Sequence, residues 1–472
     1  MTTPSCILLR DSADPAAFDA AAFDAAVWGR VFNLRRDTTR VPFAVCQART
    51  TADVVAAVEL AKARGPGCRV SVRSGGHSWA VWSVRQDAVL IDLGGLDGGR
   101  IGFDDATGIV SCPPAITGQT LNGFLADKGR MFAGGHCPDV GLGGFLLQGG
   151  MGWNCKNWGW ACESVEAVEA VTADGEVVRC SETEKADLFW AARGAGPGFP
   201  AIATRFYLRT HPLLQLFQSL YVFPLAEFKT VLQWEIDVAP TADEDTEMVC
   251  VSSYMDPSAE EPTILANFTT FKPSLAEAKL ALSPLHASRP PGATVTVFCQ
   301  PTSLAAQYAA QTAANPANHR YCSDNAYIRR DDPAAVPAIL EPAFTTLPSR
   351  KSCALWFSMN PTSRRHNTGM PMALSMQSDH YFALYAVWEH ESDDAANVAW
   401  VHDTLRAVER DAVGSYLGDA DFRHRRTKYW SDECGAKVRE VRRAWDPEGR
   451  VCGFLDQGDR RLKEVGNGKG AN

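Results

Sequence analysis

The sequence predicts an α+β fold in two unequal parts, and three observations predict it. From about residue 40 to residue 212, short apolar strands alternate with glycine-rich turns. Within that part, residues 165–172 and 176–179 flank Asp174-Gly175 and read as a β-hairpin. After Pro212 the glycines thin out and strands alternate with helices to about residue 412, the pattern of a mainly antiparallel sheet with helices packed on it. The 472 residues thus divide into 1–212, 213–412 and a tail, 413–472, that carries one more helix and is expected to return to the first part.

The first forty residues are rich in Ala and Asp and read as helical and peripheral. A helix then starts at Thr50-Thr51-Ala52-Asp53, with Thr51 or Asp53 as its cap. Val54, Val55, Val58 and Leu60 give it an apolar stripe, and Gly65-Pro66-Gly67 breaks it. Residues 69–73, 89–93 and 109–111 alternate as strands, and 120–128 forms a helix ended by Gly129. Residues 187–193 are a short amphipathic piece, and 203–209 a strand closed by His211-Pro212. The second part offers strands at 216–223, 248–254, 263–270, 354–359 and 380–390. The tail helix, 437–445, stops at Asp446-Pro447-Glu448-Gly449.

Composition excludes several classes. A net charge of -9 and no dense Lys/Arg stripe argue against a nucleic-acid partner, and the basic run 423–428 reads as a solvated helix end or loop. No stretch is long and apolar enough to span a membrane. Arg10, Asp11 and Asp14 interrupt any signal-peptide core, so a cytoplasmic location is expected, with secretion by another route left open. The fourteen cysteines have no compact framework and read as mostly buried thiols. Cys155 and Cys162 lack a second pair at zinc spacing, so no metal is expected. A monomer is the expected state.

Three glycine segments carry the chemistry. In Arg73-Ser74-Gly75-Gly76-His77-Ser78, two glycines after a strand let backbone amides turn toward an anion such as a pyrophosphate. Gly134-Gly135-His136-Cys137-Pro138-Asp139-Val140-Gly141-Leu142-Gly143-Gly144 follows, and then Gly149-Gly150-Met151-Gly152. Val140, Leu142, Phe145, Leu146, Leu147 and Met151 ask for burial, and a buried glycine loop needs acceptors for its amides. The third segment, 194–198, precedes a strand. No glycine fingerprint opens a helix after the first strand, no phosphate-cradling lysine loop exists, and no serine-hydrolase elbow is present.

In this order and spacing the three segments resemble the PCMH-type FAD-binding domain of the vanillyl-alcohol oxidase superfamily, in its berberine-bridge-enzyme-like branch. The resemblance is strong over about 40–212 and weak in the tail. It implies an FAD-binding domain over 1–212, a substrate domain over 213–412, and covalent FAD attached through His77 to the flavin 8α carbon and through Cys137 to C6. It also implies that Arg73, Ser74, Gly75, Gly76, Ser78, Val140, Gly141, Gly143, Gly144, Gly149, Gly150, Gly152, Ala201 and Ile202 line the cofactor. A Val at position 140 implies access for molecular oxygen, hence an oxidase yielding H2O2. The substrate would be an alcohol or amine on a bulky small molecule, an oligosaccharide or a secondary metabolite.

The sequence departs from the family in places. Gly418 stands where an Asn follows the tail tyrosine, Tyr416. Ala383 stands at the catalytic acid or amide position, Met376-Gln377 replaces a His-Arg pair, and Trp158 replaces a Tyr or His. With the usual base gone, Tyr385, Tyr381 and Tyr416 become the candidates, a tyrosine of lowered pKa serving as base. Tyr381 and Tyr385 share a strand face with Ala383, and core packing explains them equally well. A dehydrogenase or oxidative cyclase on the same scaffold, and a decayed flavin-binding protein, are the alternatives.

Overall fold

The computed structural model of the chain describes residues 5–10, 19–256, 258–329, 331–359, 369–422, 425 and 427–453. Asp11, Asp14, half of the basic run 423–428 and the tail beyond 453 lie outside the described residues.

A first sheet of four strands runs in the order Ile7–Leu9, Ala44–Gln47, Val89–Asp92, Val70–Arg73. The last three strands are parallel. Parallel neighbours need a crossover, and helix Thr51–Arg64 supplies it. Its cap is Thr50, one residue before the expected pair. The Thr50 hydroxyl accepts from the Asp53 amide while the Asp53 carboxylate accepts from the Thr50 amide at 2.9 Å, a reciprocal box. Ala57 and Ala61 complete the buried face begun by Val54 and Val58, whereas Val55 and Leu60 are only partly buried.

A second sheet of five antiparallel strands holds Gly102–Asp104, Ile109–Cys112, Ala201–Arg209, Val165–Thr172 and Val177–Ser181 in that order. The hairpin turn has Gly175 at φ +86°, a conformation the glycine makes cheap.

The third sheet has eight antiparallel strands: Val295–Thr302, Gln215–Pro224, Thr263–Lys272, Thr246–Ser253, Cys353–Ser358, His380–Trp388, Arg320–Ile328 and Ala412–Gly414. Helices Phe228–Val238, Leu275–Ser288, Val336–Thr345 and Asp394–Val408 cover one of its faces. Strand parity is legible in His380–Trp388. Phe382, Leu384, Ala386 and Trp388 enter the helix-covered core, while Tyr381, Ala383, Tyr385 and Val387 face the other way.

Three strands of this sheet were not expected. Arg320–Ile328 carries Ser323, Asp324 and Asn325 at its centre, a polar run that looks like a loop. All three are buried and tied to the tail. Asp324 pairs with Arg425 at 3.1 Å, and Asn325 bonds the backbone of Tyr416 at 2.7 and 2.9 Å. Val295–Thr302 contains Pro301 and lies at the sheet edge, where a missing amide is tolerated. Ala412–Gly414 has only three residues.

The tail crosses back to the first part. Helix Asp432–Trp445 starts at Ser431, whose hydroxyl accepts from the Cys434 amide at 3.2 Å, and it packs against Ala186–Ala192. A second tie is Lys156, buried with its ammonium on the carbonyls of Ala239, Ala242 and Asp243 beyond helix Phe228–Val238, where a cation suits the helix dipole.

Candidate active site

Between the glycine segments and the open face of the eight-stranded sheet lies a cavity of about 1140 Å³. Ordinary ligand pockets hold roughly 300–1,000 Å³, so this one has room for a ligand larger than a single drug-sized molecule.

The glycine segments meet backbone to backbone. A methyl on Gly75 would lie 2.5 Å from the Gly141 amide nitrogen, and one on Gly141 would lie 2.6 Å from that of Gly75. Only hydrogens fit there. The crossing brings His77 and Cys137 into the cavity wall, with the half-exposed Asp139 against His77. His77 Nε2 lies 3.1 Å from Asp139 Oδ1, and its ring stacks on Phe32 at 4.1 Å between centroids and meets Trp79 edge-on. Cys137 carries a free thiol in the cavity wall, and burial followed by the nearby Asp139 and Asp419 carboxylates pushes that thiol up.

The segments fit a dinucleotide. None of the described groups accepts from the amides of Gly75, Gly76 or His77, and all three residues line the cavity. The Cα of Gly144 faces open space, where a side chain would project into the cavity. Ser74, Ser78, Val140, Gly141, Gly143 and Ala201 also line it.

Five expected cofactor residues do something else. Gly149, Gly150 and Gly152 stand behind the wall. The amides of Gly150 and Met151 donate to the Tyr416 hydroxyl at 3.1 and 3.2 Å, and Gly152 bridges to Gly135. Ile202 points into the core beside Val171, because strand alternation turns Ala201 and Ala203 toward the cavity and Ile202 away. Arg73 reaches the lining, but its guanidinium is spent on Asp92 at 2.7 Å and on the carbonyls of Ala26 and Val27.

On the sheet side, all three tyrosines line the cavity. None is a phenol of lowered pKa, and that expectation is corrected. Burial, then Asp419, raises Tyr381, Tyr385 and Tyr416 above the ordinary phenol value. Asp419 was not singled out from the sequence as a functional residue. Its Oδ2 accepts from the Tyr381 hydroxyl at 2.8 Å and its Oδ1 from the Trp79 indole at 3.1 Å, and it lines the cavity. The carboxylate missing at Ala383 thus arrives from the tail, in a short loop that no strand register could reveal.

Gly418 is explained by the same loop. A methyl at 418 would overlap the Tyr416 ring, which folds back over that glycine. Trp158 stacks on His211 at 4.1 Å, and burial, then Arg209 and Arg130, lowers the histidine to about 4.

Pairing register arranges the sheet floor in rows. Ala383, Leu355, Val251 and Leu265 form one row, and Tyr381, Phe357, Val249, Asn267 and Leu220 the next. A third row holds Glu247, Thr269 and Gln218. At ~4.8 Å between strands, the first row runs for roughly 14 Å. The first row is aliphatic, the second mixes aromatic and aliphatic residues around Asn267, and the third is polar. Glu247, buried, lies 3.4 Å from His136 Nε2 and accepts from the Asn154 amide at 2.7 Å.

Residues 42–181 match the family model described as an FAD binding domain. The chain is 38% identical over 463 residues, 96% of its length and 99% of the relative's, to the FAD-linked oxidoreductase janO of Penicillium janthinellum. Its fold matches BBE-like 1 of Physcomitrella patens with a TM-score of 0.80, at 18% identity over 96% of both chains. It also matches the glucooligosaccharide oxidase of Acremonium strictum, described with a 6-S-cysteinyl, 8α-N1-histidyl FAD, with a TM-score of 0.75, at 20% identity over 95% of this chain and 96% of that one. Glycine segments crossing at one end of a large cavity, a fold shared along the whole chain with a BBE-like protein and a full-length relative at 38% identity lead to one conclusion: the protein belongs to the family of FAD-linked oxidoreductases.

Proposed function

We propose that the protein is an oxidase whose FAD is bonded to both His77 and Cys137, and that it oxidises an alcohol or amine carbon of a bulky, largely apolar substrate. The observation that carries this reading is the shared cavity: His77 and Cys137 line it with Tyr381, Tyr385 and Asp419. The doubly linked flavin described for a protein of the same fold supports it. When bound, FAD supplies the hydride acceptor and passes the electrons to O2, giving H2O2.

The residues divide the remaining work. Tyr381 accepts the hydroxyl proton of the substrate as its own proton passes to Asp419 along the 2.8 Å hydrogen bond. A phenol held protonated by burial needs such a carboxylate behind it, since it cannot act as a free phenolate near neutral pH. The Leu355, Val251 and Leu265 row holds a flat apolar scaffold beside that proton acceptor, and the row led by Glu247 meets a polar edge. Val140 lines the cavity wall, and its short side chain is the reason for proposing O2 as the acceptor.

The test is H2O2 release over a panel of fused-ring terpenoid alcohols and oligosaccharides, with flavin reoxidation timed in air. Release with the apolar alcohols and reoxidation within seconds is the expected result. Flavin that is reduced by substrate but reoxidises slowly in air would mean a dehydrogenase.

A further inference from the structure

We infer that Asp139 is the positioning residue for flavin attachment: it holds the Nε2 proton of His77 and leaves Nδ1 as the nitrogen that bonds the flavin. This rests on the proposed histidyl link. The Gly75–Gly141 crossing places Asp139 opposite His77, two residues from each glycine, and sets the 3.1 Å bond to Nε2. Stacking on Phe32 and the edge of Trp79 hold the ring plane, and the Phe32 amide donates to the Gly76 carbonyl at 3.1 Å, fixing that stack to the same turn. A neutral imidazole carries one proton, so a carboxylate on Nε2 selects the tautomer whose lone pair is on Nδ1. The Asp139 carboxylate is half exposed; its partial burial would raise the carboxyl, but the hydrogen bond from His77 leads the causes that hold it below its ordinary value.

The same carboxylate answers the charge problem of the reaction. When the Nδ1–C8α bond forms and a C8α–H bond breaks, the alkylated imidazole still carries its Nε2 proton and is a cation. Asp139 sits on that proton and can take it. One proton from the methyl carbon and one from Nε2, with the two electrons released, reduce one O2 to H2O2.

The experiment uses the full chain in a Cys137→Ala background, where the histidyl bond alone can retain flavin. Apo-protein is mixed with FAD in air, and the flavin that stays with acid-precipitated polypeptide is followed in time. Asp139→Ala is expected to slow attachment at least tenfold while FAD still binds and is released on precipitation, which shows that the fold is intact. Asp139→Glu is expected to restore part of the rate. The flavin–histidine adduct from the Cys137→Ala parent should be the Nδ1 isomer alone. Attachment at an unchanged rate and as the same single isomer in Asp139→Ala would overturn the inference. If the parent attaches no flavin while His77→Ala retains it through Cys137, the histidyl link itself is wrong and the inference falls with it. Should neither hold flavin, the proposed double attachment fails first.

Discussion

Asp419 reaches Tyr381 with one oxygen and Trp79 with the other, and the proposed proton transfer ends on it. Asp419→Asn keeps the shape and removes the proton acceptor. Reduction of the flavin by substrate should slow by about 10²–10⁴, the usual worth of a positioned base, with flavin content unchanged. A change under threefold in stopped-flow reduction would refute the role. A second buried acid works on stability alone. Glu235 is fully buried with no charged partner among the described residues, only the Cys250 thiol bonding to it, and burial raises its carboxyl well above the ordinary value. The native state therefore keeps a proton that the unfolded chain releases above about pH 4.3. Stability from this group is complete below that pH and falls as pH rises, by about 1.4 kcal/mol per unit until the native carboxyl itself ionises. Urea unfolding of Glu235→Gln between pH 5 and 8 should show a flatter dependence than the unaltered chain; parallel curves would contradict this. His77, Cys137 and Tyr416 were picked out by family motifs and Tyr381 and Tyr385 by strand alternation around Ala383, and all five line the cavity. Asp139 and Asp419 were not picked out, because their partners lie across the fold and a lone carboxylate in a loop has no pattern.

Elements were legible where periodicity and turn chemistry agree. The hairpin around Gly175 and the parity of His380–Trp388 follow from the sequence within a residue or two. Arg320–Ile328 did not, since its Ser323-Asp324-Asn325 centre is polar and becomes strand only when Arg425 and Tyr416 satisfy it. The glycine segments were recognised as cofactor loops, but their contact with each other was not visible. That contact makes a prediction. Gly141→Ala puts a methyl against the Gly75 backbone, which no rotamer change can relieve, at a cost of about 1–3 kcal/mol. Bound flavin per polypeptide should drop at least severalfold. Gly123→Ala, with open space around its Cα in helix Gly118–Ala126, should leave it unchanged. Equal flavin content in both variants would remove the crossing from the account.

On the scale of the whole molecule, the cofactor end comes from two small sheets and their glycine loops, and the substrate end from the eight-stranded sheet. The tail completes the second end by bringing in Tyr416 and Asp419. The change of texture at Pro212 falls just before Gln215–Pro224, the first strand of the eight-stranded sheet, and the glycine motifs pointed to FAD. The aliphatic row of the floor was not legible, because side-by-side placement of Ala383, Leu355, Val251 and Leu265 depends on strand order, which a sequence does not print. No helix among the described residues is long and apolar enough to cross a membrane.

Two bonds to one flavin are the centre of the account, and acid precipitation tests them together. The unaltered chain, His77→Ala and Cys137→Ala should each carry yellow colour into the pellet, and the double variant should lose it all to the supernatant. Complete release of flavin from the unaltered chain would contradict the account.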